Sequence, residues 1–288
     1  MSTSLGIIQG RLSPYTGGKI QSFPKNTWEN EFILAKKLGL NTIELCLDSD
    51  DWEKNPIWTV QGTNRIKELT QETGIKPISL DPLYLAERGL RTNTKEITEE
   101  RNKIMETVIP NCKELDMDYI LMPVMIGPGI ELSAELRSKN NRPNVLKFLK
   151  KTIEIARDYE IKLALETSLN AKETLYLMET LNSDYVVVCY DTGNSAFFGH
   201  AILSDIQKLS QFLVEVHIKD HKNTNKNGEK ITSYNSVKLG TGDVDFHSVF
   251  NILNKNNFSG SYILQMARDN DHIGVAKYSI DFVKKFIH

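Results

Sequence analysis

A chain of 288 residues buries roughly three quarters of its unfolded surface, so it needs neither disulfides nor a metal to fold, and any metal would serve chemistry. With 40% hydrophobic and 25% charged residues it belongs with folded soluble proteins, which excludes disordered and fibrous classes. The 35 basic and 37 acidic residues leave a net charge of −2, which offers no general field for nucleic acid or a charged membrane.

Cys46, Cys112 and Cys189 are odd in number and widely spaced, and read as reduced core thiols. The first ten residues lack a basic segment followed by an apolar one, and no apolar run approaches the ~18 residues of a membrane span. A cytoplasmic location with no membrane partner is therefore the expectation.

In chain order, short apolar runs rich in β-branched residues predict strands at Leu5–Gln9, Asn41–Leu47, Lys76–Leu80, Tyr119–Met125, Lys162–Thr167, Tyr185–Tyr190, Leu213–Ile218 and Ser261–Met266. Most are continuously hydrophobic, the pattern of strands covered on both faces in a parallel sheet. Between them, helical periodicity predicts helices at Thr27–Lys37, Asn64–Glu72, Ile97–Leu115, Asn144–Tyr159, Ala171–Leu181, Ile202–Leu209, Phe246–Asn254 and Ile273–Phe286. Gly39 and Gly74 stop the first two, and Asn144 and Asp245 are candidate N-caps.

Eight strand-and-helix units of about 36 residues predict an α/β fold, a single (β/α)8 TIM-barrel domain over residues 1–288. An open doubly wound sheet would carry a glycine-rich phosphate turn after the first strand, and Gln9-Gly10-Arg11-Leu12-Ser13-Pro14 is not one. The polar segment His221–Lys238 follows the seventh strand and reads either as a substrate lid or as a solvated hairpin.

A barrel of this kind builds its site at the carboxyl ends of its strands. The polar residues there are Glu44, Glu166, Asp191, His217, Lys219 and, on the eighth strand, Gln265 followed by Arg268. Glu166, Asp191 and His217 come from three consecutive strands and can converge on a divalent cation, with Mn²⁺, Mg²⁺, Co²⁺ and Zn²⁺ all suited to such ligands. A buried ion pair or a satisfied core hydrogen bond is the plainer reading of each residue alone.

Four motifs stand in register here: Leu165-Glu166-Thr167, Asp191-Thr192-Gly193-Asn194-Ser195-Ala196, Val216-His217-Ile218-Lys219-Asp220 and Leu239-Gly240-Thr241-Gly242-Asp243-Val244-Asp245-Phe246. With them the chain resembles, over nearly its whole length, the sugar phosphate isomerase/epimerase family with a xylose-isomerase-like barrel. The L-ribulose-5-phosphate (L-xylulose-5-phosphate) 3-epimerase branch is the most similar. The resemblance implies one divalent metal held by Glu, Asp, His and Glu on strands five to eight. Three positions match Glu166, Asp191 and His217, and the fourth is Gln265.

The implied chemistry is enolisation of a ketose or ketose phosphate, one carboxylate removing the carbon-bound proton and a second returning it on the other face. Glu166 is the expected base, tuned toward neutral pH by a dry pocket. Gln265 cannot carry a proton, although its amide oxygen can hold the metal. Three outcomes stay open: a one-base isomerase, an epimerase with a substitute donor such as His221 or water, or a dehydratase of a sugar-derived hydroxy ketone. A sugar-binding barrel without turnover is the non-enzymatic alternative.

For the substrate, Lys219 shares a strand face with His217 and can hold a substrate oxygen or balance Asp220. Gly240-Thr241-Gly242 offers backbone amides for phosphate or makes a plain turn. Arg11 and Arg268, beyond neighbouring strands, make an anion clamp or an ordinary salt bridge to Glu44 or Asp269. Asn194 orients the loop after strand six or meets the sugar, Glu44 supports the site, and Trp28, Trp52 and Trp58 either wall a sugar or pack the rim. The expected partner is a small sugar or sugar phosphate, and homo-oligomer formation stays open. A related barrel, the metal-dependent apurinic endonuclease, uses a histidine-rich cluster, which six histidines with one at a strand end do not supply.

Overall fold

The computed structural model describes residues 4–15, 21–90, 94–124, 142–224, 227–230 and 236–287. Its principal strands are β1 (Ser4–Ile8), β2 (Thr42–Cys46), β3 (Lys76–Asp81), β4 (Tyr119–Val124), β5 (Lys162–Thr167), β6 (Val186–Asp191) and β7 (Leu213–Ile218). A two-residue hairpin follows, β8 (Asp220–His221) with β9 (Ser236–Val237), and then β10 (Ser261–Leu264). The large sheet runs β3-β2-β1-β10-β7-β6-β5-β4, every pair in it parallel, and β3 packs beside β4 at the remaining seam. The result is a nearly closed barrel of the predicted TIM type.

Helices α1 (Trp28–Lys37), α2 (Val60–Thr73), α3 (Lys95–Glu114), α4 (Arg142–Asp158), α5 (Ala171–Leu181), α6 (Thr192–Phe197), α7 (Ile202–Leu209), α8 (Phe246–Lys255) and α9 (His272–Val283) alternate with the strands. They cover its outside through apolar faces such as Phe32 and Ala35 on α1, Ile66 and Leu69 on α2, and Ile104 and Val108 on α3. Five helix starts differ from expectation, by one residue at α1 and α9, by two at α3 and α4, and by four at α2. Helix α2 begins at Val60 because the Thr59 hydroxyl accepts the Gly62 amide, a cap placed before a stretch too polar to show periodicity. Helix α4 begins at Arg142, so Asn144 lies inside the first turn rather than capping it. Asp245 does cap α8, accepting the Ser248 amide, and Gly74 ends α2 at φ +77°, where a side chain would be strained. All three cysteines are buried free thiols.

Strand alternation decides what enters the barrel. The Ser79 hydroxyl on β3 lies 3.0 Å from Glu215 Oε2 on β7, a contact between non-adjacent strands that runs through the interior. Two residues further along each strand the next inward level begins. By the same register, Glu44 precedes Cys46, Ser79 precedes Asp81, Ala164 precedes Glu166, Cys189 precedes Asp191, and Glu215 precedes His217. The lower level is a buried mixture of apolar and acidic groups, and the upper one holds the predicted ligands. Among the described residues, no helix is long and apolar enough to cross a membrane.

Candidate metal centre at the carboxyl end of the barrel

Glu166, Asp191 and His217 each place one ligand atom within 4.8 Å of the others. His217 Nδ1 stands 3.4 Å from Glu166 Oε1 and 3.9 Å from Asp191 Oδ2, is buried, and has no hydrogen-bond partner. The opposite ring nitrogen, Nε2, lies 3.0 Å from Glu215 Oε1 and 3.2 Å from Glu44 Oε1. Acceptors on that side keep the hydrogen on Nε2 and turn the Nδ1 lone pair toward Glu166 and Asp191, the arrangement of a metal-binding imidazole backed by a carboxylate. Gln265 follows β10, is 5% exposed, and leaves its buried Oε1 without a partner. Two carboxylates, an unpartnered imidazole nitrogen and an unpartnered amide oxygen fit a divalent cation.

The motif after β6 is explained residue by residue. Asp191 uses Oδ1 to accept the Asn194 amide at 2.8 Å, capping α6, and Oδ2 to accept Lys219 Nζ at 2.8 Å. The Thr192 hydroxyl lies 2.6 Å from the Lys219 carbonyl oxygen and stitches α6 to the end of β7. Asn194 donates from Nδ2 to Glu166 Oε1 at 3.1 Å and accepts Lys219 Nζ on Oδ1 at 3.4 Å. Gly193 leaves room for the lysine stem, since a Cβ there would lie 2.5 Å from Lys219 Cγ. Gly193→Ala is accordingly expected to cost about 1–3 kcal/mol and to separate Lys219 from Asp191. Calorimetry alongside a metal titration checks this, and unchanged values in both would contradict it.

Burial and charge set the proton affinities. Burial works to raise Glu166, but His217 and Lys219 outweigh it and hold the carboxyl below its ordinary value, contrary to the expectation of a base tuned toward neutrality. Burial and then the neighbouring Glu215 push Glu44 well above the carboxylate range, whereas Glu215, against its own burial, is held low by the hydrogen bond from His217. Burial alone would lower His217, yet the neighbouring Cys189, and after it Glu44 and Glu166, raise it well above its usual value. Without a cation the pocket thus stores a proton where the metal charge would sit.

The residues expected around a substrate have the following partners in the structure. Glu44 is fully buried beneath His217, with its Oε2 2.9 Å from Ser79 Oγ, so it faces the imidazole and not a substrate. Lys219 pairs with Asp191 and not with Asp220. The amides of Gly240 and Gly242 donate to Asp220 Oδ2 at 2.9 and 2.8 Å, and those of His221 and Val244 to Oδ1, so the chain's own carboxylate fills the nest expected to take phosphate. Arg11 Nε donates to the Met266 carbonyl at 2.9 Å, and Arg268 donates to the Gly10 and Pro14 carbonyls and lies over Tyr15. Both arginines lace the first loop to the last strand, with backbone rather than Glu44 or Asp269 as their partner. Trp52 and Trp58 pack edge to face at 4.5 Å, and Trp28 packs against Phe23 and Phe32. The segment read as a lid lies partly outside the described residues, and its ends pair as the β8–β9 hairpin.

The same first loop is held by Glu31 of α1, which accepts the Gly10 amide at 2.8 Å and the Leu12 amide at 2.9 Å. Burial outweighs these bonds and pushes its carboxyl up to about 7. The folded state therefore retains a proton that the unfolded chain releases near 4.5. Stability from this group is complete below that value and is lost as pH rises through about 7, a change of about 3 kcal/mol. Glu31→Gln should gain on the native chain in urea unfolding between about pH 5 and about pH 8. A difference that stays constant with pH would refute the assignment.

Sequence reasoning missed Glu215 and Asp81. Glu215 was detectable, because Glu215, His217 and Lys219 alternate with Val214, Val216 and Ile218 and mark an inward polar face. Asp81 fell one residue past the predicted end of its strand.

Comparison with known proteins agrees with the barrel fold. The family model described as xylose isomerase-like TIM barrel matches residues 32–286. The L-ribulose-5-phosphate 3-epimerase UlaE of Salmonella heidelberg (strain SL476) is 22% identical over 266 residues, covering 89% of each chain. UlaE of Escherichia coli (strain SMS-3-5 / SECEC) is 22% identical over 245 residues, 83% of this chain and 82% of its own. Among solved structures, the IolI protein with a zinc atom superposes with a TM-score of 0.72 at 18% identity over 99% of both chains. A D-allulose 3-epimerase from Methylomonas sp., in complex with D-allulose, gives 0.72 at 16% identity over 99% of this chain and 97% of its own. The chain belongs to the xylose isomerase-like TIM barrel family.

Proposed function

We propose that the protein is a divalent-metal-dependent epimerase or isomerase of a ketose or ketose phosphate. The observation that carries this reading is the convergence of Glu166, Asp191 and His217 with an unpartnered Nδ1 between the carboxylates. Sugar 3-epimerases among the relatives and structural neighbours support it. Glu166, Asp191, His217 and Gln265 would hold the cation. When bound, the cation polarises the ketose carbonyl and its neighbouring hydroxyl and so acidifies the adjacent carbon.

The chain's own groups do the rest. Glu166, ionised and oriented by Asn194, receives the carbon-bound proton. Lys219, fixed by Asp191 and Asn194, sets a positive charge beside the developing enediolate. Deep burial keeps water from competing for these groups.

The test loads the purified chain with Mn²⁺ and offers L-ribulose 5-phosphate, L-ribulose, D-allulose and D-tagatose in deuterated water. Deuterium entering the carbon beside the carbonyl, with a new ketose or aldose, is the expected result. Binding without exchange would identify a sugar-binding barrel instead. Loss of water from the sugar would identify a dehydratase, and turnover without deuterium a hydride shift.

A further inference from the structure

Epimerisation needs two proton carriers, and Gln265, whose side chain is an amide, holds no exchangeable acid. His221, the substitute that the sequence suggests, sits in the β8–β9 hairpin with its ring edge-on to Phe197 at 4.9 Å. Asp81 is placed differently. It ends β3 two residues beyond the inward-facing Ser79 and in register with Cys46, so its side chain projects into the upper level of the barrel. In the strand order, β3 lies four steps from β7 in either direction around the ring and so faces His217 across the pocket. Asp81 is 2% exposed, and its buried Oδ1 has no hydrogen-bond partner. No donor is spent on that oxygen, as suits a carboxyl that keeps its proton.

We infer that Asp81 is the second proton carrier of this site, supplying the acid that Gln265 cannot. The inference rests on the epimerase reading above. Burial first, and the charge of Glu166 second, push the Asp81 carboxyl up to about 8.

In the step itself, the Glu166 carboxylate takes the carbon-bound hydrogen as a proton. The C–H electron pair enters the C=C bond of the enediolate, and the carbonyl pair moves onto oxygen. Asp81 then gives its proton to the same carbon from the β3 side, the C=C pair forming the new C–H bond as the carbonyl returns. Asp81 is left as carboxylate and Glu166 as acid, and proton exchange with water resets both without any change of oxidation state.

Asp81→Asn tests this in deuterated water, reading exchange and epimer formation separately by NMR on whichever of the four ketoses the native protein turns over. Epimer formation is expected to fall by about 10²-fold or more while Glu166-driven exchange stays within about threefold of the native rate. Manganese affinity, measured by competition with a chelating dye, should not move. Asp81→Ser, smaller and equally unable to carry the proton, should behave alike and serves if the Asn variant fails to fold. Retained epimerisation, an equal fall of exchange and epimerisation, or weakened manganese binding would each overturn the inference. So would uncoupling in His221→Gln in place of Asp81→Asn. If the native protein catalyses no exchange on any of the ketoses, the epimerase reading itself fails and this inference falls with it.

Discussion

Glu166→Gln is expected to lower turnover by about 10²- to 10⁴-fold while leaving the barrel folded, because it removes the base and keeps the shape. Glu166 lies one residue before the end of β5, between Leu165 and Thr167, and its Oε1 already accepts Asn194 Nδ2 at 3.1 Å, a bond a glutamine oxygen preserves. The amide cannot take a proton from carbon, and as a neutral ligand it also weakens the hold on a cation. His217 and Lys219 keep the native carboxyl below its ordinary 4.5 despite burial, so its base form is complete at neutral pH and is lost only as pH falls below that value. The acid limb of the pH–rate profile should therefore lie below the usual carboxylate range. Steady-state rates, circular dichroism melts and manganese titration together check the prediction. Full activity in the variant, or an acid limb near neutrality that vanishes with it, would remove Glu166 from this role.

How legible such a site is depends on what kind of information places each residue. Strands β5 and β7 match their predicted limits, because strands covered on both faces advertise themselves as apolar runs. Glu166, Asp191 and His217 are legible for the opposite reason, as isolated polar groups where such runs end. Asp220 is the instructive failure. Glycine amides in Gly240-Thr241-Gly242 form a nest, but no local pattern says whether phosphate or a carboxylate twenty residues away occupies it. Arg11 and Arg268 are a similar case, since the strand order makes their loops neighbours while only the folded backbone reveals the Met266 and Gly10 carbonyls that accept from them. Glu44 and Glu215 show the limit of reading strands one at a time. Each is a single acid in an apolar run, and their joint effect on His217 exists only after β2 and β7 face each other across the barrel.

That joint effect yields the second large expectation, a loss of metal affinity of about 10- to 100-fold in Glu215→Leu. Glu215 accepts three donors at once: His217 Nε2 at 3.0 Å, Tyr119 Oη at 2.8 Å and Ser79 Oγ at 3.0 Å. Glu44, whose carboxyl burial and the charge of Glu215 raise, stands beside it with Oε1 3.2 Å from the same Nε2. The ionised Glu215 thus fixes hydrogen on Nε2, fixes the ring angle, and leaves Nδ1 as the lone-pair donor. Leucine fills the volume without accepting anything, so the imidazole is free to turn or to exchange tautomers, and the buried Tyr119 hydroxyl loses this acceptor at about 1–3 kcal/mol. Glu215→Gln keeps an acceptor oxygen and should recover most of the affinity. Zinc and manganese titrations at fixed pH, with nitrogen-15 NMR of the His217 ring, separate positioning from mere loss of stability. A destabilised Leu variant that still binds metal natively, with hydrogen still on Nε2, would show that the ring is held by packing alone. The opposite pattern would place the control of metal binding one level down the barrel, in a carboxylate that need not touch metal or substrate.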